Sequence, residues 1–182
     1  WEGSDIWQIL FWRAFFFSIT LSLFLSFTYK NKALFIIKKS GIPGIVGGIA
    51  MAIGFTAYVF AMSETTVANV LFIISTQTIW LALFGYFFLK EKISLKTFFS
   101  IILAMTGILV MIGGSLNTGS MQGNLVALFI PINFAFLILL IRKYSNLDLI
   151  PALFYGGLII TIVAFFMSET IFISRNNLLV GF

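Results

Sequence analysis

Nine of the 11 lysines and arginines of this chain lie in every second connection between six long apolar stretches. The apolar stretches run over residues 6–29, 41–62, 67–89, 97–113, 123–141 and 150–172. The connection after the first holds Lys30, Lys32, Lys38 and Lys39. KEKISLK (90–96) holds Lys90, Lys92 and Lys96, and RKYSNLDL (142–149) holds Arg142 and Lys143. The connections between them are poor in base: the start has only Glu2 and Asp5, SETT (63–66) only Glu64, and GSLNTGSMQ (114–122) no charge. SETIFISRNN (168–177) has Glu169 and Arg175. A chain that places its bases on alternate turns of a zigzag is crossing a bilayer, with the basic turns on the cytoplasmic side.

Length and composition agree. About 20 mostly apolar residues span the hydrocarbon core as a helix, and the stretches are too long and too uniformly apolar to alternate as barrel strands. Only 9% of residues are charged and 60% are hydrophobic, against about 25% charged in an ordinary globular domain. The expected fold is an all-α integral membrane protein, a polytopic helical bundle with six spanning helices. Residues 1–5 are expected outside, and the basic loops 30–40, 90–96 and 142–149 in the cytoplasm, for a multi-pass protein of the cell (inner or plasma) membrane. The net charge of +5 is a topology signal and not a nucleic-acid surface. The chain has no cysteine and no histidine, which removes disulfides, thiol chemistry, zinc sites built on those residues and His-based triads. No metal and no cofactor is expected. The chain opens on Trp1 and closes on an apolar LLVGF, so a piece of a longer protein is expected, without a signal peptide.

LFWRAFFFSIT (10–20) aligns without gaps on LFYGGLIITIV (153–163). The first copy enters the membrane from outside and the second from inside. Halves related in that way are typical of transporters with inverted repeats and a midplane solute site.

The stretch from Glu64 to Gly113, ETTVANVLFIISTQTIWLALFGYFFLKEKISLKTFFSIILAMTGILVMIG, resembles the EamA-type repeat of the drug/metabolite transporter superfamily. Thr66, Val67 and Ala68 match its small-residue entry, Glu91 its cytoplasmic glutamate, Gly107, Ile108 and Leu109 its later glycine core, and Arg13 the arginine of the preceding helix. Residues 123–157 resemble the opening of a second repeat. Thr78, Lys90 and Ser100 depart from it, standing where the family often has Pro, Gly and Gly. The resemblance implies inverted five-helix repeats, ten helices in the complete protein, and export or exchange of a small organic solute. Residues 1–113 would be most of the first repeat, with four helices. Residues 114–182 would begin the second, with two helices and the start of a third.

Six polar or aromatic residues within the spans are candidates for contact with the solute: Arg13, Asn69, Thr76, Gln77, Trp80 and Asn133. Arg13 lies about 10 Å into its helix, where a long side chain can snorkel outward. It reads as an anchor, with Glu64 or Glu169 as candidate ion partners, or as a cation lining the outer solute path. Asn69, Thr76 and Trp80 are spaced by seven and four and share a helix face. Interhelical hydrogen bonding explains such residues as well as solute contact does. Asn133 stands beside Pro131, which removes a backbone hydrogen bond and is expected to kink its helix. Thr56, Tyr58 and Tyr155 are weaker candidates. Gly44 and Gly48 form a GxxxG pair suited to close helix packing.

No carboxylate lies deep in any span, and no cluster of nucleophile, base and metal ligands exists. The expected activity is transport of a small organic metabolite, such as an amino acid or related compound, by alternating access. A non-transporting assembly subunit and an intramembrane lipid-modifying enzyme are the alternatives. The expected partners are the small-molecule solute and the lipid bilayer, with a homodimer as a further partnership and no nucleic acid.

Overall fold

The computed structural model describes residues 5–92, 94–115 and 120–168. Glu169 and Arg175, part of the uncharged connection 114–122, and the chain ends lie outside the described residues. The elements are α1 (Ile6–Tyr29), a 3-10 turn (Lys30–Lys32), α2 (Ala33–Glu64), α3 (Val67–Ser75), α4 (Gln77–Leu89), α5 (Leu95–Ser115), α6 (Met121–Lys143) and α7 (Ile150–Met167). No strand occurs among the described residues. α1, α2, α6, α7 and the stretch Val67–Leu89 are each long and apolar enough to cross a membrane. α5 supplies a further 21-residue helix, about 31 Å long at 1.5 Å per residue. The protein is therefore a polytopic bundle of membrane helices.

Two of the expected spans differ in detail. α2 begins at Ala33, not 41, and is broken at Gly41, whose φ of 54° and ψ of −147° are non-helical. The first turns after the basic 3-10 turn are thus a short helix in their own right. The stretch 67–89 is two helices that meet at Thr76 (φ −69°, ψ −8°). Pro131, by contrast, sits fully buried inside an α6 that runs unbroken from Met121 to Lys143.

The chain forms two compact units, residues 1–52 with 147–182 and residues 53–146. α2 contributes to both. In the first unit α1 packs mainly on α7, its partner from the far end of the sequence. The contact is built from small residues. α1 buries Ala14 and Ser18, and Gly157 of α7 faces Ser18 and Phe17, while the buried stripe Ala152, Gly156, Ile160 and Ala164 of α7 turns its Ala152–Gly156 end to α2. A Cβ on Gly157 would stand 2.5 Å from Ser18 Oγ, so only glycine lets the helices come this close. Without a hydrophobic drive between helices in lipid, such packing supplies much of the association. Gly48 of α2 meets α7 in the same way: a Cβ there would lie 2.5 Å from Tyr155 Cβ and 3.1 Å from the Ala152 carbonyl. The break at Gly41 ends the ladder of the short helix, and the Ile37 carbonyl is instead capped by the hydroxyls of Ser40 (2.7 Å) and Tyr155 (3.2 Å). At α7's start, Asp148 accepts the Ile150 N–H at 3.0 Å and also the Tyr29 hydroxyl.

In the second unit α6 packs against α3 and α4. Ala61, Val70, Ile73, Ala127 and Ile130 form its buried apolar centre. One end is closed by caps. Thr66 accepts the Asn69 N–H at 3.3 Å to start α3, and Ser120 accepts the Gly123 N–H at 3.0 Å to start α6. Each satisfies a helix N–H that lipid could not. At the far end of α4, Lys90 takes the left-handed conformation (φ 56°, ψ 29°), and Glu91 bonds Arg142 at 3.4 Å.

Candidate functional site

The second unit holds a pocket of about 240 Å³ lined by Phe55, Tyr58, Ile74, Gln77 and Phe134. Four elements supply it. Phe55 and Tyr58 are one turn apart on α2, Ile74 is on the last turn of α3, Gln77 opens α4, and Phe134 comes from α6. Phe55 and Phe134 meet edge to face, with centroids 6.1 Å apart, an arrangement favoured by the ring quadrupoles. Gln77 is the strongest hydrogen-bonding side chain of this lining; the other polar group is the Tyr58 hydroxyl. No charged side chain is part of it.

The pocket lies beside the break in the third span. Thr76 is 5% exposed, and its hydroxyl has no hydrogen-bond partner among the described residues. Its carbonyl accepts from Ile79 N–H at 2.9 Å and its own N–H donates to Ile73 at 3.1 Å. The backbone is thus served at the joint while the side-chain hydroxyl is left over. A buried polar group without a partner is unusual enough to require an explanation.

Asn133 is buried, one residue before Phe134. Its Nδ2 would be 2.6 Å from a Cβ on Gly54, so a glycine on α2 makes room for this amide. Trp80 is half-buried and tilted over Phe84 at 6.4 Å, one turn beyond Gln77 and outside the pocket lining. Asn69 is buried at the opposite end of α3. Its Nδ2 donates to Thr65 Oγ1 at 3.3 Å and to Asn124 Oδ1 at 3.5 Å, and Thr65 Oγ1 donates to Asn124 at 2.8 Å. That network ties α3 to α6. Arg13 belongs to the other unit, on an exposed side of α1. It makes no ion pair among the described residues. Its neighbour Trp12 stacks on Phe16 at 5.7 Å, as an interfacial aromatic would.

Of the six candidates, then, Gln77 lines the pocket and Thr76 adjoins it through the chain. Asn133 is next to a lining residue, and Asn69, Trp80 and Arg13 are placed elsewhere. Phe55, Ile74 and Phe134 were not singled out from the sequence. In a chain with 23 phenylalanines, an aromatic at helical spacing carries almost no signal. The pairing of Phe55 with Tyr58, itself a weaker candidate, was the available hint.

A bundle of apolar helices with an open, aromatic-lined pocket beside the joint of its third span defines a polytopic membrane protein. The model of the EamA-like transporter family matches residues 2–113, more than half of the chain. The chain belongs to that family, and it is accordingly a membrane protein of the drug/metabolite transporter superfamily. No curated protein and no solved structure matches it.

Proposed function

We propose that this protein moves a small organic metabolite, an amino acid or related compound, across the cell membrane as an exporter or exchanger. The observation that carries this is the pocket itself: one amide and one phenol among apolar and aromatic walls, at the joint of a discontinuous span. Small-molecule sites are mostly apolar, with a few placed polar groups that orient the ligand. The volume, about 240 Å³, lies below the ~300–1,000 Å³ of drug-sized sites and suits a solute of amino-acid size. The apolar body of the solute lies against Phe55, Ile74 and Phe134. Its polar group takes the Gln77 amide, and the idle Thr76 hydroxyl is within the same short stretch of chain.

Joints within the spanning segments of transporters provide hinges for rocking between inward- and outward-open states. The α3–α4 joint fits that role. Residues 1–113 act as most of one five-helix repeat and 114–182 as the start of its inverted partner, a division that the family match to 2–113 supports. Translocation needs no covalent step, so the residues bind, orient and release. Basic loops 30–40, 90–96 and 142–149 face the cytoplasm and residues 1–5 face outward, in keeping with the charge alternation.

The test is solute flux in vesicles carrying the full-length protein, screened over neutral and zwitterionic metabolites. With a transported solute in hand, Gln77→Ala and Phe134→Ala should each lower flux at unchanged membrane abundance. Flux equal to wild type in both would move the solute path away from this pocket.

A further inference from the structure

We infer that residues 30–40 form an interfacial segment that binds the headgroups of anionic phospholipids. The segment is set apart at both ends by left-handed backbone: Lys30 has φ 47° and ψ −128°, and Gly41 has φ 54° and ψ −147°. Between these breaks lie the 3-10 turn and the first eight residues of α2. With non-helical backbone at both ends, they form a short element of their own between α1 and the helix after Gly41.

The face that this segment leaves uncovered is mixed in a specific way. Ala33, Ile36, Ile37 and Ser40 turn inward to varying degrees, and Ser40 is fully buried. Leu34 and Phe35 are 74% and 64% exposed. Lys38 and Lys39 are exposed one turn further on. Each exposed apolar side chain therefore has a lysine four residues along, on the same face. Lys30 and Lys32, also exposed, extend the basic strip into the preceding turn. An element with apolar and basic side chains on one surface sits at the boundary of acyl chains and headgroups.

Among the described residues nothing neutralises these charges. No ion pair among the described residues reaches any of the four lysines. The carboxylate at this end of the unit, Asp148, is taken up by Tyr29 and by the Ile150 N–H. Four uncompensated lysines within ten residues, anchored by Leu34 and Phe35 at headgroup depth, are complementary to phosphate diesters bearing net negative charge. A zwitterionic headgroup offers the same phosphate with a repelling ammonium, so the segment discriminates by lipid charge.

The test uses the full-length protein in phosphatidylcholine nanodiscs, doped with spin-labelled phosphatidylglycerol or spin-labelled phosphatidylcholine. The motionally restricted fraction is expected to be severalfold larger for the phosphatidylglycerol label. The excess should vanish in high salt and in the K30Q/K32Q/K38Q/K39Q variant. It should persist when the same four lysines become arginine, and in K90Q/K92Q/K96Q, which removes an equally basic loop. Equal restricted fractions for the two labels overturn the inference. So does an excess that survives the four glutamines or is lost equally on changing Lys90, Lys92 and Lys96. If the four-glutamine protein fails to insert, K30Q/K32Q and K38Q/K39Q are measured separately, each expected to lose part of the excess; no loss in either overturns the inference.

Discussion

Single residues at the joint of the third span carry the sharpest consequences. The Thr76 hydroxyl is buried without a partner among the described residues, a state that costs about 1–3 kcal/mol. Thr76→Val keeps the shape and removes that cost. Under the proposed function its thermal midpoint in detergent should rise while solute flux falls several-fold. A stabilised protein with full flux would make the hydroxyl a mere packing defect. Asn69 is the contrasting case. Its amide holds Thr65 and Asn124, so Asn69→Ala should lower stability by about 1 kcal/mol and leave the solute affinity of the surviving protein unchanged, as read by a flux titration. Both residues read alike in the sequence, as polar side chains within an oily helix. What separates them is whether another helix brings a partner, and no local pattern encodes that.

At the scale of elements, the breaks and the close approaches matter most. Lys90 adopts left-handed backbone at the end of α4, where glycine pays no Cβ penalty. Strain of this kind costs about 1–3 kcal/mol, so Lys90→Gly should stabilise the protein, measured as a higher thermal midpoint. The departure from the family's usual glycine, visible in the sequence, thus has a physical cost in the fold. α2 against α7 shows the opposite economy. Gly48→Val would drive a side chain into Tyr155 and the Ala152 carbonyl and should destabilise by about 1–3 kcal/mol, the usual range for overpacking, with reduced abundance in membranes as the readout. The GxxxG pair at Gly44 and Gly48 was legible as a packing surface. The four-residue stripe on α7 that complements it emerges only when the two ends of the chain are brought together. Pro131 lies within a continuous α6, and the change from one helix to the next in the third span falls at Thr76, where no proline stands.

For the whole molecule, the zigzag of charge makes the broadest claim. The chain has no cysteine, so single cysteines can be introduced without background. Ser94→Cys and Asn146→Cys, in basic connections, should react with an impermeant maleimide only from the cytoplasmic side. Ser63→Cys and Asn117→Cys should react only from the opposite side. Two successive connections labelled from one side would remove a crossing and with it the bundle as described.

Transfer free energy and charge placement act on each segment by itself. For that reason the helical class, the positions of the spans and the expected alternation of sides could be read from one strand of letters. The resemblance around Glu64–Gly113 likewise needed no coordinates. The pocket is a different kind of object. Phe55, Ile74, Gln77 and Phe134 are brought together by packing of α2, α3, α4 and α6. Between helices in lipid, that packing rests on steric fit among side chains distant in sequence and not on apolarity, which every face here shares. Only the tertiary structure could decide which of many phenylalanines line a cavity, and which polar side chains are left without a partner.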